Sequence, residues 1–151
     1  MSDAIIVSSI LGVCGLIITY AYNKKNTKLA NHKMHKELFT EFNARYDKLN
    51  DDLEIICSKN MNINDFNKLN SGYNNYKYTA TIIDFFNLCA EEYYWYSKKR
   101  ISKRVWKSWE KGMNDIYNKS GVIQALWDNE CKNEGYISYY IDKKDTFFKL
   151  R

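Results

Sequence analysis

Apolar residues follow two different patterns along this 151-residue chain. Residues 4–22, AIIVSSILGVCGLIITYAY, form one apolar run without a charged side chain. After this run, apolar residues recur every three or four positions, as they do on one face of a helix. The chain has no proline, the strongest helix breaker, and six glycines. These patterns predict an all-α protein in which an N-terminal transmembrane helix continues into a long helix, followed by a cytoplasmic helical bundle.

The apolar run has the length of a membrane span. In a helix, its 19 residues extend about 28 Å, close to the ~30 Å of a bilayer's hydrocarbon core. Two tyrosines end the run and the basic stretch NKKNTK follows it, whereas Asp3 is the single charged side chain before it. The positive-inside rule therefore predicts residues 1–23 as a single-pass inner-membrane anchor, with the N-terminus outside and residues 24–151 in the cytoplasm. A buried core helix is the alternative, since 19 residues lie near the lower limit for spanning.

Small residues recur within the predicted anchor. Ser8, Gly12, Gly15 and Thr19 are separated by four, three and four positions, which places them on one helix face. Faces of this kind let transmembrane helices approach closely. The pattern indicates a homo-oligomer interface, with a chance distribution of small residues as the alternative.

The predicted long helix, residues 28–58, carries a seam with alternating spacings of three and four. The seam consists of His32, His35, Phe39, Phe42, Tyr46, Leu49, Leu53 and Ile56. It favours either an intrachain core stripe or the interface of a parallel oligomer, and the bulky aromatic rings favour the core stripe. The two histidines share a face, but two ligands make a weak metal site, so no metal is predicted.

An asparagine-rich connector, residues 59–75, separates the long helix from the rest of the chain. Asparagine favours turns, and we expect a short helical turn around Asp65 to Leu69 within the connector. Helices of the bundle are predicted over residues 76–134. The first of them, residues 76–99, is apolar around most of its circumference, which is typical of a central helix.

Two further helices of the bundle have recognisable caps. Ser102 is a plausible N-cap for a helix from Lys103 to Asn118, and Ser120 for a following helix with Gly135 as its stop. The tail, residues 135–151, fits either an extended piece or a turn of helix.

Positive charge is concentrated where the first two of these helices meet. Residues 98–111 hold seven basic residues against one acidic residue, Glu110, and Trp106 and Trp109 lie among them. Interleaved rings and cations suit a nucleotide or single-stranded nucleic acid, because rings stack on bases and cations bind phosphates. Anionic lipid is a further candidate ligand, whereas double-stranded DNA is not expected. Alternatively, both tryptophans belong to the core and the cations are solvated. The basic residues are Lys98, Lys99, Arg100, Lys103, Arg104, Lys107 and Lys111.

The sequence contains no motif for catalysis. No glycine-rich phosphate loop, nucleophile elbow or zinc-protease motif occurs, and the four cysteines form no C-x-x-C pair. Glu91 and Glu92 point about 100° apart on a helix, so they cannot flank one substrate bond. We therefore predict a protein that is not an enzyme and has no cofactor. Glu92 falls on an apolar face, and Arg104 or Lys107 is predicted to pair with it.

Two segments resemble an uncharacterised bacterial family of short, N-terminally membrane-anchored helical proteins. They are ELFTEFNARYDKLNDDL (Glu37 to Leu53) and IIDFFNLCAEEYYWYSKKRISKRVWKSWEKGM (Ile82 to Met113), and the resemblance extends over residues 37–127. It implies the same architecture but no activity and no site residues. In layout alone, the chain is also similar to membrane effectors of type III CRISPR defence, which sense cyclic oligoadenylate through a cytoplasmic domain.

Taken together, these features predict a membrane-anchored, homo-oligomeric protein that acts by binding or interaction. The alternative is a ligand-responsive membrane effector of a bacterial anti-phage defence system, with a nucleotide bound at the basic residues and tryptophans of residues 98–111.

Overall fold

A computed structural model of the chain describes residues 3–58, 63–70, 76–142 and 146–148. Within these ranges all regular structure is helical, which confirms the predicted all-α class. The chain divides into two units, Met1–Phe39 and Thr40–Arg151. The elements are α1 (Asp3–Ser58), α2 (Ile63–Asn70), α3 (Lys77–Ser97), α4 (Lys103–Lys119), α5 (Gly121–Glu130) and a 3-10 segment (Lys132–Tyr139).

The first unit consists of the N-terminal part of α1. Its large apolar side chains between Ile6 and Leu29 are exposed: Leu16, for example, is 73% exposed. Among the described residues, α1 contains the one helix that is long and apolar enough to cross a membrane. Apolar surface of this extent is unfavourable in water and favourable in a bilayer. The first unit therefore contains a candidate membrane-spanning helix.

The C-terminal part of α1 belongs to the second unit and packs into its core. Phe42, Leu53 and Ile56 are buried there, whereas Phe39, His32 and His35 are exposed. From Phe42 onward, the predicted seam is thus an intrachain core stripe. The bulky aromatic residues of the seam favoured this alternative over the interface of a parallel oligomer.

The helix α3 lies at the centre of the second unit. Six of its residues are at most 1% exposed, so side chains from other elements surround it. Its apolar circumference predicted this central position. The six residues are Ile82, Phe85, Phe86, Leu88, Cys89 and Ala90.

The helices α4 and α5 begin at the serine caps expected from the sequence. The Ser102 hydroxyl accepts a hydrogen bond from the Val105 N–H at 3.3 Å, and the Ser120 hydroxyl accepts one from the Ile123 N–H at 3.4 Å. These caps satisfy N–H groups that have no partner within a helix.

The chain continues as a 3-10 segment after α5, so Gly135 is not the helix stop predicted from the sequence. Asn133 and Glu134 have positive φ angles of 49° and 69°, which break the helical path before the glycine. At Gly135 itself, a Cβ atom would overlap the Glu130 carbonyl oxygen. Glycine is therefore required there by the close approach of two backbone segments.

The C-terminal tail completes an aromatic core. Phe147 and Phe148 are both buried. The Phe148 ring stacks on Tyr117 at 4.4 Å and meets Trp127 edge-on at 4.9 Å. The Asn114 side-chain amide donates a hydrogen bond to the Phe147 carbonyl oxygen at 3.0 Å, which fixes the tail against α4.

The predicted connector contains a helix of its own. The eight-residue helix α2 is longer than the turn expected around Asp65 to Leu69, and its Phe66 side chain is buried. It packs against α3 and α5. The remaining parts of the predicted connector, residues 59–62 and 71–75, lie outside the described residues, as do residues 143–145 and 149–151 of the predicted tail.

Candidate functional site

The seven basic residues predicted as a ligand surface lie on the turn between α3 and α4 and along α4. All of them are exposed: Lys98, Lys99, Arg100, Lys103, Arg104, Lys107 and Lys111. Lys98 places its ammonium 5.2 Å from the centre of the Tyr94 ring, and Lys111 pairs with Asp115 one helical turn further on. We call this set the basic surface. Its exposure suits electrostatic contact with an anionic partner.

The two tryptophans of the predicted surface have different environments. Trp106 is 4% exposed and stacks on Tyr96 at 4.8 Å, with the ring planes 9° apart. Its faces are therefore occupied by protein, and Trp106 is not free to stack on a base. Trp109 is half-buried and meets Phe42 edge-on at 5.6 Å. On the amphipathic helix α4, Trp106 thus belongs to the core, whereas Trp109 lies at the edge of a cavity.

The small residues predicted as an oligomer interface all lie on the exposed surface of α1 in the first unit. These residues are Ser8, Gly12, Gly15 and Thr19. A Cβ atom at either glycine would meet nothing within 4 Å. This face therefore leaves room for close approach of another helix.

The adjacent glutamates Glu91 and Glu92 have different surroundings. Glu91 is partly exposed and accepts two hydrogen bonds from the Arg45 guanidinium, at 2.6 and 2.8 Å. Glu92 is 7% exposed. No hydrogen bond or ion pair reaches its carboxyl group from any residue that the structure describes. Glu91 is thus ion-paired, whereas Glu92 has no hydrogen-bond or ion-pair partner among the described residues.

Glu92 lines a cavity of about 200 Å³ between α1, α3 and α4. Sequence reasoning did not find this cavity, because its wall comes from three helices that are far apart in the chain. We call it the Glu92 cavity. Its apolar lining includes Phe85, Leu88, Trp109 and Met113, and its polar lining includes Asn43, Tyr46 and Ser108; Cys89 and Gly112 complete it.

Burial raises the pKa of Glu92 to about 8, with a smaller contribution from the negative charge of Glu91, whereas the positive charge of Arg45 opposes the rise. The predicted pairing of Glu92 with Arg104 or Lys107 is wrong, because both of these side chains are exposed on α4 and the cation that acts on Glu92 is Arg45 of α1. The α4 residues that line the cavity carry no charge. Glu92 is thus a buried carboxyl group without a counter-ion of its own.

The remaining reactive side chains do not form a second centre. Among the residues that the structure describes, no three His, Cys, Asp or Glu side chains come together as a metal site requires. All four cysteines are free thiols. Burial raises the pKa of the Cys89 thiol well above its ordinary value, so it is not an activated nucleophile at neutral pH.

The chain has no significant match among protein-family profiles, curated proteins or solved structures. Its resemblance to a bacterial family of membrane-anchored helical proteins therefore stays a prediction. The features of the chain that bear on its function are the exposed apolar helix, the basic surface and the Glu92 cavity.

Proposed function

We propose that this protein is a single-pass inner-membrane protein whose helical domain lies in the cytoplasm and acts by binding a partner. The observation that carries the proposal is the apolar N-terminal part of α1, whose large side chains are exposed on every side. The basic stretch NKKNTK follows this segment directly. A bilayer would cover the apolar side chains, and the lysines would hold the following residues on the cytoplasmic side.

Fractionation and reporter fusions test this proposal. The full-length protein should remain in the membrane pellet after an alkaline carbonate wash. A green fluorescent protein fused to the C-terminus should fluoresce, and alkaline phosphatase fused there should be inactive. Recovery in the soluble fraction would refute the anchor, and an active phosphatase fusion would refute the orientation.

A charge-reversed variant serves as the control for orientation. Changing Lys24, Lys25 and Lys28 to Glu leaves the apolar segment intact but removes the basic flank. The variant should stay in the membrane while the phosphatase activity of its C-terminal fusion rises.

We further propose that the anchors associate through the face formed by Ser8, Gly12, Gly15 and Thr19. Replacing Gly12 and Gly15 with Leu would fill the space through which a second helix approaches. The double variant should lose its signal in a membrane two-hybrid assay. Ile10→Ala with Ile17→Ala, on the opposite face, should keep the signal. Equal signals from both double variants would refute this interface.

A second candidate function is a ligand-responsive membrane effector of anti-phage defence that binds a nucleotide at the basic surface. The exposure of all seven cations favours it. Because Trp106 is buried, the proposed contact is mainly electrostatic and its affinity should fall steeply with salt. Titration of the full-length protein with cyclic oligoadenylate should give saturable binding that is lost in Lys103→Ala/Arg104→Ala. Vesicles of anionic lipid that compete for the same residues would instead identify a lipid headgroup as the ligand.

A further inference from the structure

The Glu92 cavity combines free space with an isolated buried acid. A cavity of ~150 Å³ is large enough to hold benzene, and this one measures about 200 Å³. Glu92 lines it, is almost fully buried, and receives no hydrogen bond or ion pair from the described residues. Buried carboxyl groups in proteins are normally paired, so an isolated one that faces free space calls for an explanation.

The nearby cation does not supply the missing partner. Both terminal nitrogens of Arg45 are engaged by the two carboxylate oxygens of Glu91. Arg45 and Glu91 therefore neutralise each other, and an ionised Glu92 would leave one uncompensated negative charge beside the cavity. A single positive charge of a ligand would compensate it.

Gly112 is an independent sign that the cavity is kept open. It lies inside α4, where glycine weakens a helix relative to alanine. Nothing within 4 Å would obstruct a Cβ atom at this position, and the residue lines the cavity. No contact with the described part of the chain therefore requires glycine here, whereas a ligand that occupies the cavity would.

We propose that the Glu92 cavity is a binding site for a small organic ammonium ion. The Glu92 carboxylate would accept a charge-assisted hydrogen bond from the ammonium group. The rings of Trp109 and Phe85, together with Leu88 and Met113, would cover the hydrocarbon part of the ligand. A cation beside an aromatic wall gains further from the quadrupole of the rings.

A cation suits the site better than a neutral or anionic ligand. An anion would meet the like charge of Glu92, and the cavity lining offers no cationic side chain to hold it. A neutral ligand would leave the negative charge of Glu92 uncompensated above neutral pH. Because the cavity lies wholly within Thr40–Arg151, the inference is independent of the proposed membrane anchor and of the basic surface.

Calorimetric titration of the full-length protein in mild detergent tests the proposal. The probes are n-butylammonium and phenethylammonium, with 2-phenylethanol as the uncharged counterpart of the second probe. At least one ammonium probe should bind saturably, and its affinity should rise by nearly tenfold from pH 6 to pH 7 and by about fivefold from pH 7 to pH 8 as Glu92 becomes ionised. Binding near pH 7 should also release a proton, which titrations in buffers of different ionisation enthalpy detect.

Two variants locate the site. Glu92→Gln keeps the shape of the side chain but removes its charge, and it should weaken ammonium binding by about tenfold or more and abolish the pH dependence. Gly112→Leu fills the cavity from the opposite helix and should abolish binding, while the tryptophan emission of the folded domain is retained. Lys48→Gln, at an exposed position on α1 outside both proposed sites, should bind like the wild type.

Three results would overturn the proposal. They are no saturable binding of either ammonium probe, equal affinity for phenethylammonium and 2-phenylethanol, and unchanged affinity in Glu92→Gln. Loss of nucleotide or lipid binding at the basic surface would not affect the outcome, so the two sites fail independently.

Discussion

Arg45 and Glu91 form a two-pronged ion pair that joins α1 to α3. The Arg45 Nη1 atom lies 2.6 Å from Glu91 Oε2, and Nη2 lies 2.8 Å from Oε1. An ion pair of this geometry is stronger than one with a single hydrogen bond. Both of its hydrogen bonds are charge-assisted, and the planar guanidinium and carboxylate groups fit each other. The pair engages Glu91, the partly exposed one of two adjacent glutamates, and leaves the buried one, Glu92, without a counter-ion.

This ion pair should stabilise the domain measurably. In a double-mutant cycle of Arg45→Gln and Glu91→Gln, we expect a coupling free energy of about 1 kcal/mol. Urea unfolding followed by tryptophan fluorescence is the measurement, since all four tryptophans lie after residue 40. The Lys111–Asp115 pair on α4 is the matched control, and its coupling should stay below about 0.5 kcal/mol. Equal coupling of the two pairs would contradict the assignment.

The stability of the domain should depend on pH through Glu92. Its pKa is about 8 in the folded protein against an ordinary value of 4.5, so the folded state retains a proton that the unfolded state releases. The carboxyl group therefore imposes no penalty below pH 4.5, and the wild type loses stability as the pH rises from there towards 8. Glu92→Gln removes this penalty and should exceed the wild type in stability by roughly 5 kcal/mol at pH 9, and by less than about 1 kcal/mol at pH 5.

Urea unfolding at a series of pH values checks this expectation. Glu54→Gln, which changes an exposed carboxyl group on α1, is the control and should leave the pH dependence of the wild type in place. A wild type and a Glu92→Gln variant with parallel stability curves between pH 5 and pH 9 would show that Glu92 ionises normally.

Local features of the fold were predictable from the sequence, whereas the pairing of distant residues was not. The serine caps at Ser102 and Ser120 act on N–H groups three residues away, so the local sequence pattern is sufficient to predict them. The Arg45–Glu91 pair joins residues 46 positions apart. Whether these two side chains meet depends on how α1 and α3 are rotated against each other. The pattern of α3 correctly placed Glu92 on an apolar face, but its partner was expected on the helix that follows α3, whereas the cation that acts on it, Arg45, lies on α1.

The packing of the C-terminal tail into the core was likewise not predictable from the sequence. Nothing in the local pattern of residues 135–151 shows that Phe147 and Phe148 fill a gap between α3, α4 and α5, because the residues that surround them are distant in sequence. The Glu92 cavity was not predictable for the same reason. Its chemistry depends on side chains from three helices whose relative rotation is set by packing of the whole domain.

The C-terminal aromatic residues should contribute strongly to stability. Phe148 is buried against Tyr117, Trp127 and Phe85, so Phe148→Ala removes a large apolar side chain and leaves a cavity. We expect the free energy of unfolding to fall by roughly 3 kcal/mol. Ile137→Ala, at an exposed position, should change it by less than about 0.5 kcal/mol. Similar urea midpoints for the two variants would mean that the tail is not part of the core.

Two glycine-to-alanine substitutions should have opposite effects on stability. At Gly112 the added methyl group meets nothing within 4 Å, so Gly112→Ala should stabilise α4 by about 0.5–1 kcal/mol through its higher helix propensity. At Gly135 the same methyl group would overlap the Glu130 carbonyl oxygen, and the backbone must shift to admit it. Gly135→Ala should therefore destabilise the domain by more than about 1 kcal/mol. Thermal unfolding of both variants, followed by tryptophan fluorescence, measures the two effects under one set of conditions. A lower midpoint for Gly112→Ala would show that its position is not open space, and an unchanged midpoint for Gly135→Ala would show that the two backbone segments are not in close contact.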